Sequence, residues 1–527
     1  LIGEVFPLTL LSSLNAALIR RDVREGFALL DREIDAIAGL RAADPDSAGY
    51  LLCVAQWVDL GYRSAALVRE LARPFAEVPR CAMRLNDYLS LRMAEAYLAF
   101  LEEDCATATS ILGFVLSVEE GMLDPHLTVV AHFWKCRAHR HQGEYEPAMR
   151  HIQEARSRSQ AMGAPKLVAV TKIHEAWLLF QRGQRREALR FLDEAEAELK
   201  TTGHILSLGN IESARGRFVR RSGEYAKAIH HFERAMAIYS ERFPEHPNLA
   251  RAMVNAAYVK RLIALDLHGR SGSGRAKGND QARFLLLCQE ALELLRRAGE
   301  IYARKHHRSG TGTVLVNAGT LHLDIGDIDR AEEEALKAFD LAEEKQDRIL
   351  MARSRILQAA IQNDRAEEQV GESADVMRHA HLARVYAEEA IALAKQTQNN
   401  RLLAGACLVR GSVAGNEFFA DWDTAKHFAG LASDLLSGDD LDHLSRELGL
   451  LKRRILRSTG VDETLRGWSE GIVGTKTFRM VTEEFAELVI PKVWEREGRK
   501  ISRVAQQLSI SPKKVRRILV NAQLLKR

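Results

Sequence analysis

The chain has 527 residues, 46% of them apolar, and a formal net charge of +4, a length that exceeds one compact core unless the chain is built from repeats. Its six cysteines, at 53, 81, 105, 136, 288 and 407, form no Cys-x-x-Cys pair, which argues against a zinc site or a disulfide frame and fits a reduced, cytoplasmic protein. The charge is divided: thirteen Lys/Arg and five Glu from Lys476 onward give that segment +8 and leave −4 on the rest, so affinity for nucleic acid is expected only at the end.

The run Leu8 to Ile19 is apolar but short, has no basic flank before it and is followed by Arg20-Arg21. It reads as a first amphipathic helix and not as a signal peptide, and no other stretch reaches membrane length. Internal repetition then governs the chain. Gly143-Glu-Tyr-Glu-Pro-Ala148, Gly183-Gln-Arg-Arg-Glu-Ala188 and Gly223-Glu-Tyr-Ala-Lys-Ala228 recur every 40 residues. Nine positions after each Gly stands an apolar residue (Ile152, Leu192, Phe232), and twelve after it an Ala (Ala155, Ala195, Ala235). A fixed period of this length means stacked supersecondary units, with Gly at a turn and Ala where two helices come too close for a larger side chain.

The pattern resembles the tetratricopeptide repeat, most fully in Val316 to Gly319, Gly326 to Ala331 and Ala338. Weaker copies stand at Arg21 to Gly26, Gly61 to Ala66, Glu103 to Ala108 and Ala420 to Ala425, the last completed by Ala429 and Ala432. The resemblance implies an all-α, tetratricopeptide-like solenoid: a right-handed superhelix of about ten helical hairpins over residues 8–437, closed by a capping helix over 438–457. Two hairpins are stretched. His268 to Gly278 reads as a flexible basic loop, without the Gly-Lys-Ser/Thr ending of a phosphate loop, and Asp364 to Asp375 as an acidic, mobile connection. Residues 458–476, with four Gly, read as a linker.

No catalytic constellation stands out, so no enzyme, metal or cofactor is expected. His139, His141 and His151, and the doublets His230-His231 and His306-His307, lack the three- or four-residue spacing that brings two ligands onto one helix face. The groove is more informative, because the resemblance implies that the first helix of each hairpin lines it. Counting back from the turn Gly places Arg137, Arg140 and His141 there, then Ile173, Trp177 and Phe180, then Asn210, Arg217, Arg220 and Arg221. This basic, aromatic, basic order suits an acidic peptide with an apolar anchor; Trp177 and Phe180 read equally well as packing between hairpins. Asn255 and Asn317 hold matching positions from which to bind a peptide backbone.

The last segment, 477–527, carries a second signal. Val504, Ala505, Leu508, Ile510, Val515 and Ile518 have the spacing of a helix-turn-helix, with Ser511 as cap and Pro512 at the first helical position. From Gly498 to Arg527 there are nine Lys/Arg and no acid, a one-signed face for a duplex. The segment resembles the C-terminal helix-turn-helix of the factor-for-inversion-stimulation type found in bacterial enhancer-binding activators, through Phe478, Phe485, Glu487-Leu488, Glu497-Gly498-Arg499, Ala505, Leu508, Ile510-Ser511, Val515, Arg517 and Leu519. It differs at Ser509, where the family has a turn Gly, at Pro512 in place of a basic residue, and at Pro491, which interrupts the preceding helix. The expected double-stranded DNA contacts are Arg499, Lys500, Arg503, Ser511, Lys513, Lys514, Arg516, Arg517 and Asn521, and Phe478, Val481, Phe485 and Leu488 form an apolar stripe suited to a homodimer. Two readings follow: a bacterial DNA-binding transcription regulator whose solenoid binds a protein or peptide, or a non-enzymatic scaffold whose basic end caps the solenoid or binds a partner.

Overall fold

The computed structural model describes residues 7–118, 124–271, 278–368, 373–436, 441–458, 468, 471, 475–521 and 524–525. All regular structure among them is helical, and no helix among them is long and apolar enough to cross a membrane. The chain divides into two compact units, Leu1–Leu448 and Gly449–Arg527.

The first unit is a tetratricopeptide-like solenoid, and its 40-residue period is visible in the helix bounds. Pro125–His141 pairs with Tyr145–Ala161, Pro165–Gln181 with Arg185–Leu199, and Ile205–Arg221 with Tyr225–Arg242. Pro125 and Pro165 open their helices where an N–H would have no helical acceptor. The turns at Gly143, Gly183 and Gly223 have φ of 79°, 81° and 75°, a left-handed conformation open to glycine without strain. The copies without glycine keep the same backbone: Arg21, Glu103 and Ala420 have φ of 56°, 64° and 47°, at a cost of roughly 1–2 kcal/mol each. What offsets it is the next residue. Asp22, Asp104 and Asp421 accept from the amides of Glu25, Thr107 and Thr424, whereas Glu144, Gln184 and Glu224 make no such cap; a cap of this kind stabilises by about 1 kcal/mol.

The repeat alanines are where the helices touch. Ala148, Ala155, Ala188, Ala195, Ala228 and Ala235 are all fully buried, as are Ile152, Leu192 and Phe232. In the helix Ile205–Arg221, Gly209 has no Cβ because the ring of Tyr239 occupies its place.

The two stretched hairpins are longer helices and not long loops. The helix expected to end before His268 runs on as Pro247–Ser271 and its partner is Gly278–Arg304, with Ala264, Phe284 and Cys288 in one shared core; residues 272–277 lie outside the described residues. Likewise Arg348–Glu367 and Ser373–Lys395 take up most of the connection expected at 364–375. Asp364 sits within the first of these, where burial, then Glu367 and Glu368, push its carboxyl up to about 6. Composition misled there because a charged stretch is also compatible with the exposed end of a long helix.

Hairpins far apart in sequence then meet and close the wall of the solenoid. Glu103 accepts from the Ser309 amide at 3.0 Å and pairs with His307 at 2.7 Å, Lys345 donates to the Glu102 carbonyl at 3.1 Å, and the Gln398 amide donates to the Gly143 carbonyl at 2.9 Å.

The second unit holds the helix Phe478–Arg496, the short helix Ile501–Gln507 and the helix Pro512–Asn521 around Ile490, Trp494, Val504, Ala505, Val515, Ile518 and Leu519. Pro491 lies inside the first of these without ending it, although its missing N–H leaves the Glu487 carbonyl without a helical donor. Ser509 has φ 50° in the turn, and the Ser511 hydroxyl accepts from the Lys514 amide at 3.2 Å. The linker expected over 458–476 falls almost wholly outside the described residues.

Candidate functional site

The first helices of successive hairpins enclose a cavity of about 1660 Å³ inside the first unit, with Arg137, Arg140, His141, Ile173, Trp177, Asn210, Arg217, Arg220, Asn255 and Asn317 on its wall. Sequence reasoning also expected Phe180 and Arg221 there, and the structure corrects both. Phe180 is buried and stacks on Phe218, ring centres 3.9 Å apart, and the Arg221 guanidinium lies 4.1 Å above it and donates to Gln181 at 2.8 Å. They line a separate cleft of about 100 Å³ with Tyr145 and Gln398. Phe180 follows the packing alternative because it falls where its own helix faces the next hairpin.

The charges on the main cavity wall fall into two groups. Arg137 donates to Asp59 at 2.6 and 2.7 Å, the same carboxylate accepts from Trp134 at 3.1 Å, and the Arg137 guanidinium lies 4.8 Å from the Phe100 ring. Arg140, Arg217, Arg220, Arg251 and Arg353 have no carboxylate within ion-pairing distance among the described residues. Arg140 lies over Trp177 at 5.3 Å and reaches His174 Nδ1 at 3.3 Å, Arg217 donates to the Ser213 carbonyl at 3.3 Å, and Arg220 lies over Tyr258 at 4.7 Å. Burial, and then Arg251, Arg140 and Arg220, push the Arg217 guanidinium down to about 9; burial, then Arg251 and Arg137, bring Arg140 to about 10. Both remain cations at neutral pH. His174 answers to the same field: burial and the surrounding Arg140, Arg137, Arg251 and Arg217 hold it well below its usual range and hence neutral. His141 is lowered too, chiefly by burial.

The apolar and neutral polar groups complete the wall. Trp177 is half-buried, edge-on to Tyr145 at 5.2 Å, so it packs and lines the cavity at once. Asn255 and Asn317 share one geometry: each amide nitrogen donates to the carbonyl four residues back, Arg251 at 2.8 Å and Thr313 at 2.7 Å. Each carbonyl oxygen is left for an incoming donor. Asn210 is the reverse, its oxygen accepting from Tyr239 at 2.8 Å and Asn248 at 3.3 Å, so its amide N–H groups remain. Asp59, His174, Arg251 and Arg353 were missed in sequence. Arg251 could have been found from its place one helical turn before Asn255.

In the second unit Arg499, Lys500, Arg503, Ser511, Lys513, Arg516 and Arg517 are exposed and Lys514 half-exposed, while the Asn521 side chain lies outside the described residues. Arg499 lies over Trp494 at 5.6 Å. Arg517 differs from its neighbours, because its guanidinium pairs with Glu483 on the preceding long helix at 2.7 Å. Phe478 and Phe485 of the apolar stripe are exposed within this unit, Phe478 to 87%.

The tetratricopeptide-repeat family matches residues 207–264, the hairpin that carries Asn210 and Arg217 together with the following helix, which carries Asn255. No curated protein matches the chain in sequence. Among solved structures, a Rap protein complexed with competence and sporulation factor is 14% identical, with a TM-score of 0.53 over 74% of this chain and 99% of that one. The apo quorum sensor NprR from B. thuringiensis is 13% identical over 82% of this chain and 98% of its own, at a TM-score of 0.38. A signal-transduction ATPase with a tetratricopeptide-repeat sensor from Pyrococcus horikoshii is 13% identical over 70% and 53%, at 0.40. The Rap likeness establishes a shared helical-repeat fold.

Proposed function

We propose that the chain is a DNA-binding regulator whose solenoid receives a peptide or protein segment in its cavity and whose C-terminal helix pair contacts duplex DNA. The observation that carries the first half is the cavity itself: walled by consecutive hairpins, and presenting an aromatic ring and asparagines with one hydrogen-bonding edge open. The Rap protein of the same fold, complexed with competence and sporulation factor, supports a partner for a solenoid of this kind. The second half rests on the capped helix Pro512–Asn521, which presents Lys513, Arg516 and Arg517 outward while Val515, Ile518 and Leu519 fix its facing.

Electrophoretic shift of random and then selected duplex by the full chain tests the DNA half. Binding should weaken steeply with salt. Arg517→Ala should flatten sequence preference by about 1–3 kcal/mol, and Lys500→Ala should weaken all sequences alike. A full-length protein that shifts no duplex at low salt leaves the scaffold reading in possession. That second reading has one observation in its favour, the Arg517–Glu483 pair, which already engages one of the charges assigned to DNA.

A further inference from the structure

We infer that the cavity takes an acidic peptide, its carboxylates received by Arg140, Arg217 and Arg251 and its backbone by Asn255 and Asn317. The inference rests on the peptide-binding reading above and deepens it by assigning the ligand's charge.

The argument starts from how this solenoid treats its other enclosed arginines. Arg137 is matched by Asp59, Arg156 by Glu175 at 2.7 Å, Arg215 by Glu196 at 2.7 Å and Glu212 at 3.2 Å, and Arg261 by both oxygens of Asp324. Pairing is thus the rule where a guanidinium leaves bulk water, as the desolvation of an unmatched charge requires. Arg140 and Arg217 break the rule, as do Arg21, Arg220 and Arg353 on the same wall, and the more exposed Arg251 stands on a third first helix facing the same cavity, likewise without an acid among the described residues. Arg140 and Arg251 stand near enough to Arg217 to lower it further, and Arg251 acts in the same way on Arg140. Deprotonation does not relieve them at neutral pH, so the compensating charge has to come from outside the chain.

The shape and the neutral groups select the anion. A cavity of about 1660 Å³ is larger than the roughly 300–1,000 Å³ of a small-molecule site. The planar guanidinium fork matches carboxylate geometry. Asn255 and Asn317 offer carbonyl oxygens to backbone N–H groups, Asn210 offers N–H to a backbone carbonyl, and Trp177 beside Arg140 supplies apolar surface for a side chain next to an acidic one. A simple phosphate ion would use the arginines and leave the asparagines and Trp177 without a role.

The test uses the full chain and three pools of synthetic octapeptides, with two acidic residues, none, or two basic ones, together with inorganic tripolyphosphate as competitor. The acidic pool should be retained over the neutral pool by roughly tenfold or more, the ratio that one charge-assisted contact supplies, with the margin shrinking as salt rises. Arg140→Gln and Arg217→Gln should each remove that margin. Both variants should also melt at or above the parent temperature in the absence of peptide, since each removes an unmatched charge, whereas Arg137→Gln should melt lower because it strands Asp59. Equal retention of acidic and neutral pools would overturn the charge assignment and leave the peptide reading standing. Retention of no pool, with or without tripolyphosphate binding, would remove the peptide reading and this inference together. Lower melting of both glutamine variants would show that the cluster is matched within the protein and would overturn the inference from the other side.

Discussion

The seams between hairpins and the cavity they enclose both hold charge away from water, and they treat it in opposite ways. In the seams Glu212, only 2% exposed, is surrounded by Arg215, His231 and Arg234, and Glu175 meets Arg156. On the cavity wall Arg137 has its acid, while Arg140, Arg217, Arg220 and Arg353 have none among the described residues. A buried pair adds little net stability, but it avoids the larger penalty of a lone charge. An uncompensated cluster therefore marks a place where the fold has given up stability for something else, and in a cavity that something is a ligand.

The difference is sharpest between Arg137 and Arg217, which are equivalent positions one double period apart. Asp59→Ala should be the most damaging single change, costing about 3–5 kcal/mol, because it leaves Arg137 without an acid and Trp134 without its acceptor. Urea unfolding at neutral pH reads this directly. A midpoint equal to the parent's would mean that the matched and unmatched arginines do not differ in kind.

Acid should act on both regions by adding charge to them. Burial is the first cause holding His126 and His246 at about 4 and His204 and His443 at about 3. Around His246 the charges are Arg251, Asp59, Arg137 and Lys305, mostly cations. The unfolded chain takes up these protons near pH 6.5 and the folded chain only some two units or more lower. The stability they confer is complete above pH 6.5 and falls below it, by about 1.4 kcal/mol per pH unit for each histidine until its folded value is reached. Urea midpoints at pH 7.5 and 5.5 should differ accordingly, and an acidic peptide in the cavity should narrow the gap. A midpoint that rises on acidification contradicts the buried-neutral assignment.

Packing separates seam from cavity more gently. Ala195→Leu places extra volume at a fully buried helix crossing and should cost about 1–3 kcal/mol, while Asn255→Leu, on the cavity wall, should cost less and fall mainly on ligand binding. Smaller still is the turn strain: Ala420→Gly and Ser509→Gly should each stabilise their own unit by about 1 kcal/mol, since both positions are left-handed. Thermal melts decide both, and a destabilised Ser509→Gly would mean that its side chain matters more than its backbone.

How far these features could be read in sequence follows their range. The alanine and glycine spacings announced the hairpins because they are local consequences of helix contact and turn geometry, and the resemblance they carry led to the solenoid. The inward set Val504, Ala505, Val515 and Ile518 was legible for the same reason. Counting back from the turn Gly reached the wall at Arg137, Arg140, His141, Ile173, Trp177, Asn210, Arg217 and Arg220 and failed at Phe180 and Arg221, where one helical step decides between cavity and seam. Asp59 opposite Arg137 was not legible, because 78 residues separate them and nothing local links the two. The same holds for Glu103 with Ser309 and Gly143 with Gln398, contacts that depend on how tightly the whole solenoid coils.

The C-terminal unit repeats the contrast at the surface. Lys513 and Arg516 have no acid partner among the described residues, while Arg517 is held by Glu483, both side chains about half exposed. An exposed pair of this kind contributes about 0–1 kcal/mol, so Glu483→Gln should leave the melting temperature nearly unchanged. Its effect should instead appear on DNA, where phosphate or a base edge competes with Glu483 for the same guanidinium. Releasing Arg517 should raise affinity by up to about 1 kcal/mol and steepen the salt dependence by about one unit of slope. Titration of the selected duplex at several salt concentrations measures both quantities. If Glu483→Gln changed neither while Arg517→Ala still weakened binding, the carboxylate would be orienting the guanidinium toward DNA instead of withholding it, and the pair would count as part of the reading surface.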